Sequence, residues 1–181
     1  MAVSQLRTPL QIDPRFVKAA TILGGLMLLL IPLANTIFAH YPPYLHVVGP
    51  LLLLPGVEQL YTQSKNSYTT VEKAGFCLLA LGLIIGAVAM GVFGYMFVIE
   101  VGYMIILLLT AMALIGIALV VLGSGIVGRT LWRAQTVPQW LAAFFAVALL
   151  CDLLISAYIT LSFGSGIAFY GLAWVSLGCY L

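Results

Sequence analysis

The sequence carries little that could do chemistry, and most of it gathers in one place. Asp152 lies inside the apolar run QWLAAFFAVALLCDLLISAYITLSF, with Ser156 and Thr160 following at four and eight residues. On a helix that spacing puts all three on one face. Counted from the start of the run, the carboxylate is about 15 residues, or roughly 22 Å, along the helix. At that depth a carboxylate cannot reach an interface, so it must be buried in protein, lined by water, paired or protonated. No lysine or arginine stands at a comparable depth in any apolar run. Two roles follow: a proton or cation site (or the anchor of a polar ligand group), or an acid hydrogen-bonded to a neighbouring helix. For the second role the candidate partners are Asn35 and a backbone carbonyl exposed by Pro32. Asn35 alone reads as a helix-to-helix hydrogen bond.

His40 and His46 raise the question of a haem or pigment ligand, since neutral imidazole binds iron and magnesium. Both flank one short turn, HYPPY, which is poor geometry for two rings clasping a cofactor. The expectation is interfacial, solvated histidines. Glu58 and Glu100 fall near the ends of apolar runs and are expected to be solvated. GSG occurs at 123–125 and at 164–166, but no histidine lies within the core of any span to serve as base for either serine. Asp152 has no carboxylate companion for paired acid-base or metal work. No enzyme is expected, no motif indicates a metal or cofactor, and lipids are the expected companions. Cys77, Cys151 and Cys179 are odd in number and far apart, which suggests small buried hydrophobes rather than a disulfide framework or a zinc site.

The elements that must position these groups are transmembrane helices. Hydrophobic residues fill 64% of the 181 positions and charged residues 7%, against roughly 25% charged in a soluble domain. A crossing needs about 20 apolar residues. The runs allow six: 19–39, 45–61, 74–99, 103–128, 138–163 and 166–181, after an N-terminal segment 1–18 that is too polar and long for a typical cleaved signal. The fold class is therefore all-α, a polytopic helical membrane bundle forming a single domain. The second run is the weakest, being short and holding Pro50 and Pro55, and a bend or break is expected there. RTLWRAQT is read as a short basic loop before Pro138 and Trp140 open the fifth span.

Orientation follows from the basic residues. Arg7, Arg15 and Lys18 precede the first span, Lys65 and Lys73 lie between the second and third, and Arg129 and Arg133 lie between the fourth and fifth. Six crossings with the N-terminus in the cytoplasm put all seven inside. They form no run that would clamp a phosphate backbone, so nucleic acid is not an expected partner.

Packing between helices in lipid relies on small residues. The third span offers Gly82 and Gly86 at GxxxG spacing and, on a neighbouring face, Ala87 and Gly91, while the fourth offers Ser124 and Gly128. These are expected to join the third and fourth spans as a helical hairpin, or to form a face for a second copy or another subunit. The stretch LWRAQTVPQWLA, residues 131–142, resembles a class of small six-span bacterial membrane proteins in which a helix ends in basic residues and the next opens with Val-Pro-x-Trp. That resemblance implies a six-span architecture and no activity. The functional expectation is an accessory or structural subunit of a larger assembly in the cell membrane, with the lipid bilayer and other membrane subunits, or itself, as partners. The alternative is a small-molecule or ion transporter, or a membrane substrate-binding subunit, built around Asp152.

Overall fold

A computed structural model describes residues 13–38, 43–64, 67–96, 102–159 and 167–181, at a few helix ends through the backbone only. Six helices account for nearly all of them: α1 Pro14–Phe38, α2 Pro43–Ser64, α3 Thr70–Met96, α4 Tyr103–Ala134, α5 Gln139–Ile159 and α6 Ala168–Tyr180. Four of these, α1, α3, α4 and α5, are long and apolar enough to cross a membrane. The protein is thus a multi-pass helical membrane bundle. α2 has 22 residues, about 33 Å and enough for a crossing by length, but it is less apolar than those four. At 13 residues, α6 is the short element, about 20 Å long.

The helix starts have local causes. Asp13 accepts the Arg15 N–H at 2.9 Å while Pro14 takes the first helical position, where its missing N–H costs nothing. α1 thereby opens inside the segment expected to precede the first span. α3 opens on a capping box: Thr69 N–H donates to Glu72 Oε2 at 2.7 Å and Glu72 N–H reaches back to Thr69 Oγ1 at 3.4 Å. α4 runs on to Ala134, so the expected basic loop RTLWRAQT is mostly the last turns of this helix, which ends at Gln135 in the left-handed conformation, φ 52°. Nothing in RTLWRA breaks a helix, whereas Val137-Pro138 does. α2 is unbroken across Pro50 and Pro55. The expected break is therefore absent, and α2 packs as one element between α1 and α3.

The helices form a closed ring in chain order, each antiparallel to the next, with α6 returning to α1. Close backbone approaches set this arrangement. Between α3 and α4, a Cβ on Gly82 would stand 2.7 Å from Val120 N and 2.8 Å from the Gly116 carbonyl, and one on Gly123 would stand 2.5 Å from Leu79 N. Between α1 and α6, Gly25 and Gly171 face each other so closely that either Cβ would meet the other's carbonyl at 2.7 Å. The hairpin of the third and fourth spans stands as expected, but through Gly116, Val120 and Gly123 of α4. Ser124 and Gly128 lie on other faces. Ser124 meets α6 through Tyr170, and Gly128 packs on Ala142 and Ala146 of α5. Gly91 faces Val47 of α2, and Ala87 is buried.

The centre is filled by large side chains, among them Trp174, Phe145, Leu53, Leu79 and Leu131, all fully buried. Leucine, isoleucine and valine also cover the outside, for instance Leu81, Val88, Leu108, Ile115, Leu122 and Leu154, an arrangement suited to lipid rather than water. Cys77, Cys151 and Cys179 are exposed on this outer surface. The expectation that they are buried fails because in an apolar run every face looks alike.

One expected outcome separates the two glycines of the GxxxG pair. Gly82→Ala overpacks the α3–α4 seam and should lower stability by about 1–3 kcal/mol. Gly86→Ala should be neutral, since a Cβ there meets nothing within 4 Å. Thermal unfolding in detergent measures both, and equal sensitivity at the two positions would contradict the packing described.

Candidate functional site

α6 begins beside the middle of α5. Its flanking residue Ile167 provides no side-chain cap, and the cap comes instead from Asp152, 17 residues before Phe169. Phe169 N–H donates to Asp152 Oδ1 at 3.1 Å and Tyr170 N–H to Oδ2 at 2.8 Å. Both carboxylate oxygens are therefore engaged by the free N–H groups of the first turn of α6, where the positive end of the helix dipole favours an acid. The side chain is 2% exposed. It faces the protein interior, as the cost of a carboxylate against lipid demands.

The opposite end of the same helix is met by a base. Lys18 of α1 donates from Nζ to the Cys179 carbonyl at 2.9 Å. α6 thus has an acid from α5 at its N-terminus and an ammonium from α1 at its C-terminus, each supplied by a ring neighbour. Between these ends its side chains fill the core. Tyr170 OH lies 3.1 Å from Ser124 Oγ on α4. Phe145 of α5 stands edge-on to Trp174, ring centroids 5.0 Å apart, and stacks near Tyr170 at 5.9 Å. Offset and edge-on pairs of this kind stabilise by about 0.5–1.5 kcal/mol beyond their area.

Of the residues singled out from the sequence, Ser156 lies one turn beyond Asp152, its Oγ buried and without a hydrogen-bond partner among the described residues. Thr160 and His40 lie outside the described residues, as do Glu100 and the second GSG; Asn35 falls within α1, its side chain outside them. Among the described residues the Asp152 carboxylate takes its bonds from the backbone N–H groups of Phe169 and Tyr170. His46 is 5% exposed, packed within the bundle and not solvated as expected. It starts a helix on an inward-facing position, which the turn beside it in sequence does not reveal. Glu58 is exposed, in keeping with a solvated end group. Among the described residues no group of three His, Cys, Asp or Glu side chains is placed to hold a metal ion.

Sequence reasoning missed Lys18, Phe169 and Tyr170 as parts of this site. The carboxylate was conspicuous, but backbone donors carry no residue signature. The threonine hydroxyls are quieter. Thr21, Thr110 and Thr130 each donate to the carbonyl four residues back, at 2.8 Å, and so satisfy themselves within their own helices. Comparisons with protein-family models, curated proteins and solved structures return no match to this chain.

The cap makes a directional prediction. Asparagine keeps the shape of Asp152 but offers one acceptor and turns an NH₂ donor toward an N–H. Asp152→Asn should therefore destabilise by about 1–3 kcal/mol, with faster amide exchange at Phe169 and Tyr170. Lys18→Met, at the accessible end of α6, should cost about 0.3–1 kcal/mol. An Asp152→Asn protein as stable as the wild type would remove the carboxylate from this role.

Proposed function

We propose that the chain is a non-catalytic accessory or structural subunit of a larger membrane protein assembly, lying in the cell membrane with both termini in the cytoplasm. One observation carries the reading. Asp152, the buried acid on which a transport or ligand-binding role would rest, has both oxygens taken up in holding α6 to α5. Its chemistry is spent on architecture. The core beside it is occupied by Phe145, Tyr170 and Trp174.

Two further features agree with this reading. Along the first half of α4, Met104, Ile105, Leu107, Leu108, Leu114 and Ile115 are exposed. That ridge suits a neighbouring apolar helix, from another subunit or a second copy, as well as lipid. Secondly, the antiparallel pairings bring Arg15, Lys18, Lys73, Arg129 and Arg133 to one end of the bundle, the side that cytoplasmic placement of basic residues would make internal.

A second reading, a small-molecule or ion transporter or a membrane substrate-binding subunit, has one observation in its favour: the unpartnered Ser156 Oγ a turn away from Asp152. A buried hydroxyl of this kind costs about 1–3 kcal/mol unless something bonds to it.

Purification from native membranes in mild detergent is the discriminating experiment. The subunit reading expects a second membrane protein at fixed stoichiometry, captured by a photo-crosslinker placed at Leu108 or Ile115. A lone monodisperse chain carrying a bound small molecule would reject it in favour of the transporter. Orientation has its own check: a cysteine introduced at Ser67 should resist membrane-impermeant reagents added outside intact cells, and external labelling would reverse the assignment.

A further inference from the structure

A trough runs between α4 and α5 on the outer surface, close to the basic end of the bundle. Its origin is the tight seam at Gly128, where a Cβ would stand 2.6 Å from that of Ala146 and 2.8 Å from the Ala142 carbonyl. Three residues earlier Gly125 faces open space, with nothing within 4 Å of where its Cβ would be. The missing side chain leaves a cavity of about 330 Å³, floored by Gly125, Gly128, Ala143 and Ala146 and bounded by Arg129 and Trp132.

The charges at its mouth are unbalanced. Arg133 is paired with Glu72 at 3.2 Å, whereas Arg129 is exposed and makes no ion pair among the described residues. With the Arg133–Glu72 pair cancelling, one positive charge remains. A second cavity, of about 210 Å³, shares Arg129 and has Thr69, Glu72, Thr130 and Arg133 on its walls. Trp132 and Trp140, 46% and 62% exposed, stand at the same level, where tryptophan marks the headgroup region. An apolar trough thus descends from a guanidinium held at headgroup depth.

We propose that this is a binding site for an anionic glycerophospholipid of the leaflet facing the basic end. The phosphate engages Arg129, whose planar fork suits two phosphate oxygens. One acyl chain lies in the trough over Gly125 and Ala146. The headgroup turns toward the second cavity, where the exposed Arg133 guanidinium keeps N–H groups beyond the one it gives to Glu72 and can offer them to a polyol. Charge complementarity selects an anionic lipid over a neighbouring apolar helix, which would bring no anion to Arg129.

The test uses the full chain in detergent with equal amounts of phosphatidylglycerol and phosphatidylcholine, read by native mass spectrometry. The wild type should retain phosphatidylglycerol over phosphatidylcholine by about fivefold, the scale of one basic residue against an anionic headgroup. Arg129→Gln should bring the two lipids near parity. Lys73→Gln, the same loss of charge away from the trough, should keep the preference. Gly125→Leu fills the trough without disturbing the bundle and should reduce retention of both lipids. Three results would each overturn the site: an Arg129→Gln protein that keeps its preference, a Lys73→Gln protein that loses it equally, or a Gly125→Leu protein that retains lipid like the wild type.

Discussion

A helix that starts within an apolar layer presents its first N–H groups to surroundings that cannot bond to them, and each such group costs several kcal/mol in hydrocarbon. α6 is in this position. Its first turn lies beside Asp152, seven residues before the end of α5, hence roughly 10 Å short of that end. The two hydrogen bonds from Phe169 and Tyr170 to Asp152 make the short helix tenable. Reciprocally, the helix supplies the donors that a buried carboxylate requires. Neither group would be stable there without the other, and the remainder of the ring depends on the pairing because α6 is the element that closes it.

Closure is finished by contacts of a different physical kind. At Gly25 and Gly171 the α1 and α6 backbones come too close to admit a side chain on either glycine, gaining dispersion where the hydrophobic effect offers no advantage over lipid tails. Lys18 adds a hydrogen bond at the far end of the same seam. The α3–α4 seam repeats the principle through Gly82, Gly116 and Gly123. Because these seams are formed by absent side chains, the bulky residues are displaced to two places, the aromatic cluster at the ring centre and the leucine-rich outer face.

Polar groups follow a strict economy as a result. Thr21, Thr110 and Thr130 bond within their own helices, Ser124 bonds to Tyr170, Asp152 caps α6, and Glu72 serves both its own helix start and Arg133. Charges of both signs sit at one end of the bundle. With Asp152, Ser124 and Glu72 engaged in this way, the distinctive surfaces lie on the outside, in the exposed ridge of α4 and the trough beside Arg129, which is where partners and lipids would meet it.

The length and spacing of apolar runs determined the class of fold, the six helices and their approximate limits, since a bilayer imposes an element length that composition alone reveals. The same logic marked Asp152 as inward-facing, because the cost of exposing a carboxylate to lipid does not depend on what it touches. Which small residues pair was not legible: Gly128 and Ser124 look as suitable for α3 as Gly116 and Gly123 do. Helical spacing fixes the angle between residues on one helix but not the direction in which that helix is turned. The partners of Asp152 were hidden for a related reason. They are main-chain N–H groups, present at every residue but proline, and only the placement of the start of α6 against the middle of α5 made two of them special.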